Sequence, residues 1–348
     1  MKKILALDGG GIRGIIPGQI LVALEQKLQA KTGNPEARLA DFFDFIAGTS
    51  TGGILASLYL CPQPGNTQKA RFSAQQAVNL YVENGSNIFS VSWRKRLESG
   101  NGVLDEKYEA DELEKALRSY FGDLRLSQLL KPCIIPAYDI ERRRAHYFAQ
   151  HNFHLKGLSH DFLVRDVCRA TSAAPTYFEA ALVKSLSNES FALVDGGVFA
   201  NNPALSAYAE VRNAQGSPTA TDMFIVSLGT GSQQEPYPYA SAQDWGLAGW
   251  VRPIIDIMMD GASETTDYHL SRVFSAGGQD NQYVRLQPAS LGGANPALDD
   301  ASPANIEALV QLGTATARAC EAELERIAAF LVADGSDPVR FTTPVAVR

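Results

Sequence analysis

The residues Gly48, Ser50 and Gly52 form the pattern G-x-S-x-G inside the segment IAGTSTGGI. An aromatic-rich apolar run precedes the pattern and a helical pattern follows it, which is the strand–turn–helix setting of a nucleophilic serine. Glycine on both sides suits a sharp turn, because a Cβ atom there would clash as the serine is pushed outward. An ordinary Gly/Ser/Thr turn has the same composition, so this pattern alone leaves both interpretations open.

A nucleophilic serine needs a base, and histidine is the usual one. Only His269 follows a plausible catalytic acid in the chain order Ser, Asp, His, and it stands in a helical segment without turn residues. That setting favours a surface or packing role. The other four histidines fall in one polar stretch and form no standard metal-binding pattern, so no metal is expected: His146, His151, His154 and His160.

Asp195 is a stronger candidate for the base. It ends the apolar segment 191–194 and precedes Gly196 and Gly197, and in open α/β sheets such strand ends converge on the site. An aspartate at its ordinary pKa of about 3.9 is a weak base, but desolvation by apolar neighbours would raise that pKa. A Ser50–Asp195 dyad is therefore chemically feasible, with a plain D-G-G turn as the alternative.

The segment LALDGGGIRGII, residues 5–16, also satisfies G-x-G-x-x-G, the fingerprint of dinucleotide-binding loops. That function needs an acidic residue at the end of a second strand about twenty residues later. The nearest acid, Glu36, lies in TGNPEARLA, which is no strand end. Nucleotide binding at this loop is therefore disfavoured, and no cofactor is expected.

Composition sets the broad class of the protein. The chain has 348 residues, of which 45% are hydrophobic and 20% charged, and its formal net charge is −7. This charge argues against an extended nucleic-acid surface. The four cysteines lie far apart, which fits a reducing, cytoplasmic setting. The first apolar run is too short for a signal peptide, and no run is long enough to span a membrane.

Strand, turn and helix patterns alternate along the first third of the chain, which predicts an α/β fold with a mainly parallel central sheet flanked by helices. We expect strands at Ile4–Leu7 and Met223–Leu228, two strands around a polar turn at Glu141–Arg144, and one helix starting after Ser302. A single domain over 1–348 is the simplest organisation. Its motif core covers 3–231 and a helical C-terminal part covers 240–335.

Three ordered motifs, DGGGIRG, GTSTGG and DGG, resemble those of the patatin-like phospholipases. Further blocks agree, namely ATSAAPTYFEA (170–180), DGGVFANNPA (195–204) and SLGTG (227–231). The resemblance runs from about residue 3 to residue 231.

The resemblance implies a residue-by-residue site. It assigns Ser50 as the nucleophile and Asp195 as the general base, without histidine, metal or cofactor. The Gly-rich loop becomes an oxyanion hole, in which Gly10 and Gly11 donate and Arg13 supports them. Six further glycines support the motifs: Gly9, Gly14, Gly48, Gly52, Gly196 and Gly197.

The implied activity is hydrolysis of lipid or phospholipid esters through an acyl-enzyme, of the phospholipase A or lysophospholipase type. An acyltransferase with the same dyad and a chiefly regulatory or binding protein with weak esterase activity are the alternatives. Expected partners are the lipid substrate and a transient membrane surface, at the inner face if the protein is peripheral. Some bacterial patatins are phage-defence effectors switched on by cyclic nucleotides, so the resemblance also allows such an activator and a homo-oligomer.

Two segments carry apolar residues beyond the core motifs. NIFSVSWRKRL (87–97) mixes aromatic and basic residues, as at an anionic lipid interface, although a partly buried loop is slightly favoured. In the segment 244–262, four apolar residues recur at helical spacing: Trp250, Ile254, Ile257 and Met258. We expect these four to pack in the core, with an acyl groove or a subunit contact as alternatives.

Overall fold

The structure, a computed structural model, describes residues 1–85, 111–231, 236–333 and 339–341. Its strands, in chain order, are β1 (Lys2–Leu7), β2 (Phe45–Gly48), β3 (Pro62–Gln63), β4 (Asn66–Ala70), β5 (Cys133–Asp139), β6 (Arg144–Ala149), β7 (Ala181–Lys184), β8 (Ser190–Asp195), β9 (Met223–Leu228) and β10 (Tyr283–Leu286).

The helices of the described residues surround these strands. They are α1 (Ile15–Thr32), α2 (Thr51–Tyr59), α3 (residues 74–85), α4 (Asp111–Phe121), α5 (Asn152–Lys156), α6 (Val164–Thr171), α7 (Gly197–Ala200), α8 (Ala204–Arg212), α9 (Tyr239–Ala242), α10 (Leu247–Ala276), α11 (Pro303–Ala319) and α12 (Glu321–Ala333). Among them, no helix is both long enough and apolar enough to cross a bilayer.

Eight strands form one sheet in the order β10-β9-β1-β2-β5-β8-β7, with β6 paired to β5. The pairs from β10 to β5 along this order are parallel, whereas β6, β7 and β8 run antiparallel to their neighbours. The predicted α/β fold with a mainly parallel sheet is confirmed.

Both faces of the sheet are buried, as a parallel sheet requires. In β1, Ile4 and Ala6 belong to one apolar cluster, and Leu5 and Leu7 belong to the cluster on the other face. Side chains alternate between faces along a strand, so the continuous apolar run of β1 supplies both cores. The sheet is thereby fixed between helices, and its strand ends can hold a site rigidly.

Two sequence predictions about helices were wrong. The segment after Ser302 forms two helices, not one, because α11 ends before Cys320 and α12 begins after it. The four apolar residues of α10 do not pack in the core: Trp250, Ile254, Ile257 and Met258 are 41%, 47%, 48% and 44% exposed. Helical spacing shows that apolar residues share a face, but it does not show what the face contacts. The segment 87–97 lies outside the described residues.

Candidate active site

Ser50 lies in the tight turn between β2 and α2, immediately before the helix. Its backbone has φ 55° and ψ −123°, a conformation that residues other than glycine rarely adopt. Such a backbone persists only where the surrounding structure holds it, and strained residues of this kind cluster at active sites. The conformation therefore marks Ser50 as a candidate functional residue.

The glycines around Ser50 make this turn sterically feasible. A Cβ atom on Gly48 would lie 2.1 Å from the carbonyl oxygen of Gly52. A Cβ atom on Gly52 would lie 2.2 Å from the carbonyl oxygen of Leu7. Both distances are far shorter than a van der Waals contact, so only glycine fits at the two positions.

Thr171, the last residue of α6, holds the backbone of Ser50 in place. The Ser50 N–H donates to Thr171 Oγ1 at 2.9 Å, and the same hydroxyl donates to the carbonyl oxygen of Pro136 at 2.6 Å. Thr171 is fully buried, and Pro136 lies in β5. One hydroxyl group therefore ties the strained turn to a central strand of the sheet.

Asp195 reaches the same place from the end of β8. Its N–H donates to the carbonyl oxygen of Ala173 at 3.0 Å, and its Oδ1 accepts from the N–H of Gly197 at 2.7 Å. The carboxylate also lies close enough to the side chain of Ser50 for that side chain to lower the pKa of Asp195. A Cβ atom on Gly196 would lie 2.4 Å from the carbonyl oxygen of Pro136, so glycine lets β8 turn close to β5.

The electrostatic setting of Asp195 suits proton transfer. Burial raises the pKa of Asp195 to about 7, and the hydrogen bonds from Ser50 and Gly197 offset this only in part. Among the described residues, no basic side chain contributes to this shift. A carboxylate with a pKa near neutrality accepts a proton more readily than an ordinary aspartate.

In the Gly-rich loop, the carbonyl groups of Gly9 and Gly10 accept hydrogen bonds, and the N–H groups that follow them are free. The carbonyl oxygen of Gly9 accepts from Thr230 Oγ1 at 2.8 Å, and that of Gly10 accepts from the Arg13 N–H at 3.1 Å. In a trans peptide the C=O and the following N–H point in opposite directions. The N–H groups of Gly10 and Gly11 therefore point away from these contacts, and neither has an acceptor among the described residues.

This loop packs directly against the turn that holds Ser50. A Cβ atom on Gly9 would lie 3.2 Å from Ser50 Cβ, and a Cβ atom on Gly14 would lie 2.1 Å from Thr51 Oγ1. Gly11 has φ +57°, and a Cβ atom there would lie 2.1 Å from the carbonyl oxygen of Leu298. These close approaches bring the Gly-rich loop against the serine turn, and Gly11 lines the same pocket as Ser50.

Arg13 supports the loop mainly through its backbone. Besides the contact to Gly10, its buried guanidinium donates to the carbonyl oxygen of Gly231 at 3.3 Å. Burial lowers the pKa of this guanidinium, and the nearby Asp260 and Asp256 oppose the shift. Arg13 does not line the pocket that contains Ser50.

A mostly apolar pocket opens onto Ser50 and Asp195. Gly11 and Thr51 also line it, together with a second serine, Ser172. The remaining lining side chains are apolar or aromatic: Ile54, Tyr81, Leu113, Ala174, Tyr177, Phe178, Met259 and Leu298. A pocket of this composition suits an alkyl chain.

No histidine lines this pocket in the part of the chain that the structure describes. His269 is exposed on α10, as its sequence setting favoured. Burial lowers the pKa of His146 to about 4, and His151 contacts Glu210 at 2.7 Å. Within the described ranges, no group of three or more His, Cys, Asp or Glu side chains is arranged to hold a metal.

Sequence analysis did not single out Thr171 and Thr230. Both stand inside the blocks that carried the resemblance, ATSAAPTYFEA and SLGTG, and this was the available signal. Their hydrogen-bond partners Ser50 and Gly9 are 121 and 221 residues away in the chain. No local pattern can reveal contacts between segments so far apart.

The comparisons with known proteins agree with one another. The family described as "Patatin-like phospholipase" matches residues 5–208. The chain is 35% identical to "Patatin-like protein 2" of Oryza sativa subsp. indica, covering 90% of this chain and 83% of the relative. It is 38% identical to "Patatin group J-1" of Solanum tuberosum, with the same coverage of both chains.

One relative and one solved structure limit what these likenesses say. "Probable inactive patatin-3-Kuras 1" of Solanum tuberosum is 36% identical, with 90% of this chain and 85% of the relative covered. "Human GIVD cytosolic phospholipase A2" is 12% identical with a TM-score of 0.43, and the match covers 95% of this chain and 60% of the human chain. Activity must therefore be argued from the residues of this site.

Proposed function

Because this chain belongs to the patatin-like phospholipase family, which supports a lipid hydrolase activity, we propose that it cleaves carboxylic esters of phospholipids or related lipids through a Ser50–Asp195 dyad. The single observation that carries this proposal is that the Ser50 side chain lies beside a buried Asp195 and lowers the pKa of its carboxyl group. Both residues line the same mostly apolar pocket.

In the first half of the reaction, Ser50 Oγ attacks the ester carbonyl carbon while Asp195 accepts the hydroxyl proton. The carbonyl oxygen becomes an oxyanion, which accepts hydrogen bonds from the N–H groups of Gly10 and Gly11. The C–O bond to the alcohol then breaks, and the proton on Asp195 passes to the departing alkoxide. An acyl ester on Ser50 and a free alcohol, such as a lysolipid, are the products.

In the second half, water replaces the alcohol and Asp195 accepts a proton from it. The hydroxide attacks the acyl carbon, and the same two N–H groups stabilise the second oxyanion. The bond between Ser50 Oγ and the acyl carbon breaks, and the proton returns from Asp195 to Ser50. The net reaction consumes one water and releases one fatty acid.

The geometry also explains how one aspartate can serve without a histidine. A direct Ser–Asp contact requires a carboxylate whose pKa is close to the working pH, and burial supplies this in Asp195. The short contact with the Gly197 N–H fixes one carboxylate oxygen, Oδ1, and thereby limits rotation of the side chain. The dyad is in this way oriented before the substrate arrives.

Covalent labelling tests the proposed nucleophile. A fluorophosphonate probe should label the wild-type protein on Ser50, and Ser50→Ala should abolish both labelling and ester hydrolysis. Ser172→Ala is the matched control, since Ser172 is a buried serine of the same pocket whose Oγ has no partner among the described residues. Labelling that persists in Ser50→Ala, or that is lost in Ser172→Ala alone, would contradict the assignment.

Product analysis separates hydrolysis from acyl transfer. Incubation of a phospholipid with the enzyme should give free fatty acid at a rate that added glycerol or lysolipid does not reduce. An acyltransferase would instead transfer most of the acyl groups to the added alcohol. If the wild-type protein showed no turnover that depends on Ser50, the result would favour a chiefly regulatory or binding protein.

A further inference from the structure

Three consecutive peptide groups at the start of the Gly-rich loop are held by hydrogen bonds. In the first, the Gly9 N–H donates to the carbonyl oxygen of Asn201 at 3.0 Å. In the second, the Gly9 carbonyl oxygen accepts from Thr230 Oγ1 at 2.8 Å. In the third, the Gly10 carbonyl oxygen accepts from the Arg13 N–H at 3.1 Å. Of these three contacts, only the one to Thr230 uses a side chain, so a substitution can remove it without altering the backbone.

The peptide between Gly9 and Gly10 depends on such a contact. Rotation of a peptide group about its two flanking Cα atoms changes ψ of the first residue and φ of the second. Both residues are glycines here, and they lack the Cβ atom that restricts these angles elsewhere. The local sequence therefore does not fix the orientation of this peptide, and a contact from outside the loop is needed to do so.

The orientation of this peptide decides whether it presents a donor or an acceptor. In a trans peptide, the Gly9 carbonyl and the Gly10 N–H point in opposite directions. While Thr230 holds the carbonyl, the N–H points away from that contact and has no acceptor among the described residues. After a flip, the carbonyl oxygen would replace the N–H and would repel an oxyanion instead of stabilising it.

The backbone that carries Thr230 is fixed on both sides. Before it, the Gly229 N–H donates to the carbonyl oxygen of Leu286, the last residue of β10, at 2.9 Å. After it, the carbonyl oxygen of Gly231 accepts from the Arg13 guanidinium at 3.3 Å. Thr230 itself is 4% exposed. Its hydroxyl is therefore presented to the loop from a buried segment that is tied to the sheet.

The side chain of Thr230 also packs against Gly10. A Cβ atom on Gly10 would lie 2.3 Å from Oγ1, 2.6 Å from Cβ and 2.8 Å from Cγ2 of Thr230. Thr230 thus contacts the second glycine of the peptide as well as the carbonyl group of the first. It limits rotation of the peptide at both ends.

We propose that Thr230 is a positioning residue that keeps the Gly9–Gly10 peptide from flipping, and so keeps the Gly10 N–H available to the oxyanion. The inference rests on the proposed function, in which this N–H is one of the two oxyanion donors. Thr230 acts through Gly10 and has no part in proton transfer. It does not line the pocket that contains Ser50, and it does not affect the pKa of Asp195.

Thr230→Val tests this role because valine has nearly the same shape but no hydroxyl. Loss of one oxyanion donor typically lowers kcat by about 10²–10³-fold. With a water-soluble short-chain ester, we expect kcat to fall at least tenfold and KM to stay within twofold, because the donor acts on the oxyanion and not on the neutral substrate. The dissociation constant of a trifluoromethyl ketone, which forms an oxyanion when Ser50 adds to it, should rise in parallel.

Two further substitutions of Thr230 separate the hydroxyl from the shape of the side chain. Thr230→Ser keeps the hydroxyl and should recover most of kcat and of the inhibitor affinity. Thr230→Ala removes the hydroxyl without adding bulk and should match Thr230→Val, so the test does not depend on how valine packs.

Thr316→Val is the matched control. Thr316 is also buried, and its hydroxyl also donates to a backbone carbonyl oxygen, that of Leu312 at 2.8 Å, but it lies in α11. This variant should keep the kcat of the wild type even if its melting temperature falls as far as that of Thr230→Val. The apparent pKa in the pH dependence of kcat should be unchanged in Thr230→Val, since Thr230 does not act on Asp195.

Three results would overturn the inference. They are an unchanged kcat in folded Thr230→Val, an equal fall in kcat in Thr316→Val, and a shifted apparent pKa in Thr230→Val, which would give Thr230 a part in proton transfer. Failure of the proposed function gives a different result, because Ser50→Ala would then keep its turnover. If only the present inference fails, Ser50→Ala is inactive while Thr230→Val stays active.

Discussion

Asp8 and Asp195 are two buried carboxylates at the carboxyl ends of strands, and they have opposite surroundings. Asp8, after β1, forms an ion pair with Arg285 through contacts of 2.8 and 2.5 Å. Asp195, at the end of β8, accepts a hydrogen bond from the Gly197 N–H and lies beside the Ser50 side chain, and no cation among the described residues affects its pKa. Burial raises the pKa of both, and only for Asp8 does an arginine oppose it.

We propose that this difference separates a structural carboxylate, Asp8, from one that takes part in the chemistry, Asp195. The ion pair with Arg285 anchors Asp8, which directly precedes the Gly-rich loop. An unpaired carboxylate in an apolar site has no such compensation, so it exchanges its proton near neutral pH. We therefore assign support of the loop to Asp8 and proton transfer to Asp195.

Asp195→Asn should have the largest effect on activity. The amide keeps the shape of the side chain but cannot accept the serine proton, so turnover should fall about 10³-fold. The fold should remain intact in circular dichroism. Activity within tenfold of the wild type would contradict the role of Asp195 as base.

The same variant should change stability in a pH-dependent way. The folded protein holds the pKa of Asp195 at about 7, above its ordinary 3.8. The carboxyl group therefore stabilises the folded state at low pH, and this stabilisation is lost as the pH rises to about 7. Relative to wild type, the free energy of unfolding of Asp195→Asn should rise by on the order of 4 kcal/mol between pH 4 and pH 8. Urea unfolding at both pH values measures this gain, and a constant difference would contradict the raised pKa.

For Asp8→Asn we expect the reverse of Asp195→Asn, with a larger effect on stability than on activity. Removing one partner of a buried ion pair leaves Arg285 uncompensated, which typically costs about 3–5 kcal/mol. Urea unfolding at pH 7 should show this loss. Glu112→Gln breaks an exposed pair with Lys115 and should leave the unfolding curve unchanged. If Asp8→Asn were as stable as the wild type, the structural role of the pair would be wrong.

The same comparison shows what could be predicted from sequence. Asp195 was identifiable because an apolar segment leads into it and two glycines follow, which are local features. The partner of Asp8 is 277 residues away, so no local feature distinguishes an aspartate that will be paired from one that will not. The strands and the serine turn are predictable for the same reason as Asp195, since both depend on neighbouring residues.

The exposed apolar residues of α10 show what could not be predicted from sequence. Their period predicted a helix with one apolar face, which α10 has, but the expected burial was wrong because Trp250 and Ile254 face solvent. Burial depends on which elements pack together, and that is decided by contacts across the whole chain. Thr171 and Thr230 escaped prediction for the same physical reason.

Gly11→Ala tests the Gly-rich loop separately from Asp8, the residue that precedes and anchors it. A Cβ atom at φ +57° and 2.1 Å from the carbonyl oxygen of Leu298 must displace the loop. We expect kcat to fall at least tenfold, because the N–H donors move away from the oxyanion. Gly33→Ala is the matched control, since Gly33 has φ +64° with open space around it, and its kcat should be unchanged. Stoichiometric binding of NAD or FAD that Gly11→Ala abolishes would instead indicate a cofactor loop.

His269→Ala should have the smallest effect. The side chain is exposed on α10 and does not line the pocket, so kcat and KM should stay within twofold of wild type in a steady-state assay. Loss of activity in the folded variant would show that a histidine assists Asp195, and the contrast between the two aspartates would then no longer explain the chemistry.

The most direct test of the central claim, that Asp195 alone activates Ser50, is the pH dependence of the rate at which a fluorophosphonate inactivates the enzyme. Phosphonylation requires the same proton transfer from Ser50 as ester cleavage does. In the wild type, the rate should rise with pH around an apparent pKa of about 7, and this rise should be absent in Asp195→Asn. An unchanged rise in Asp195→Asn, or its loss in His269→Ala, would contradict the account.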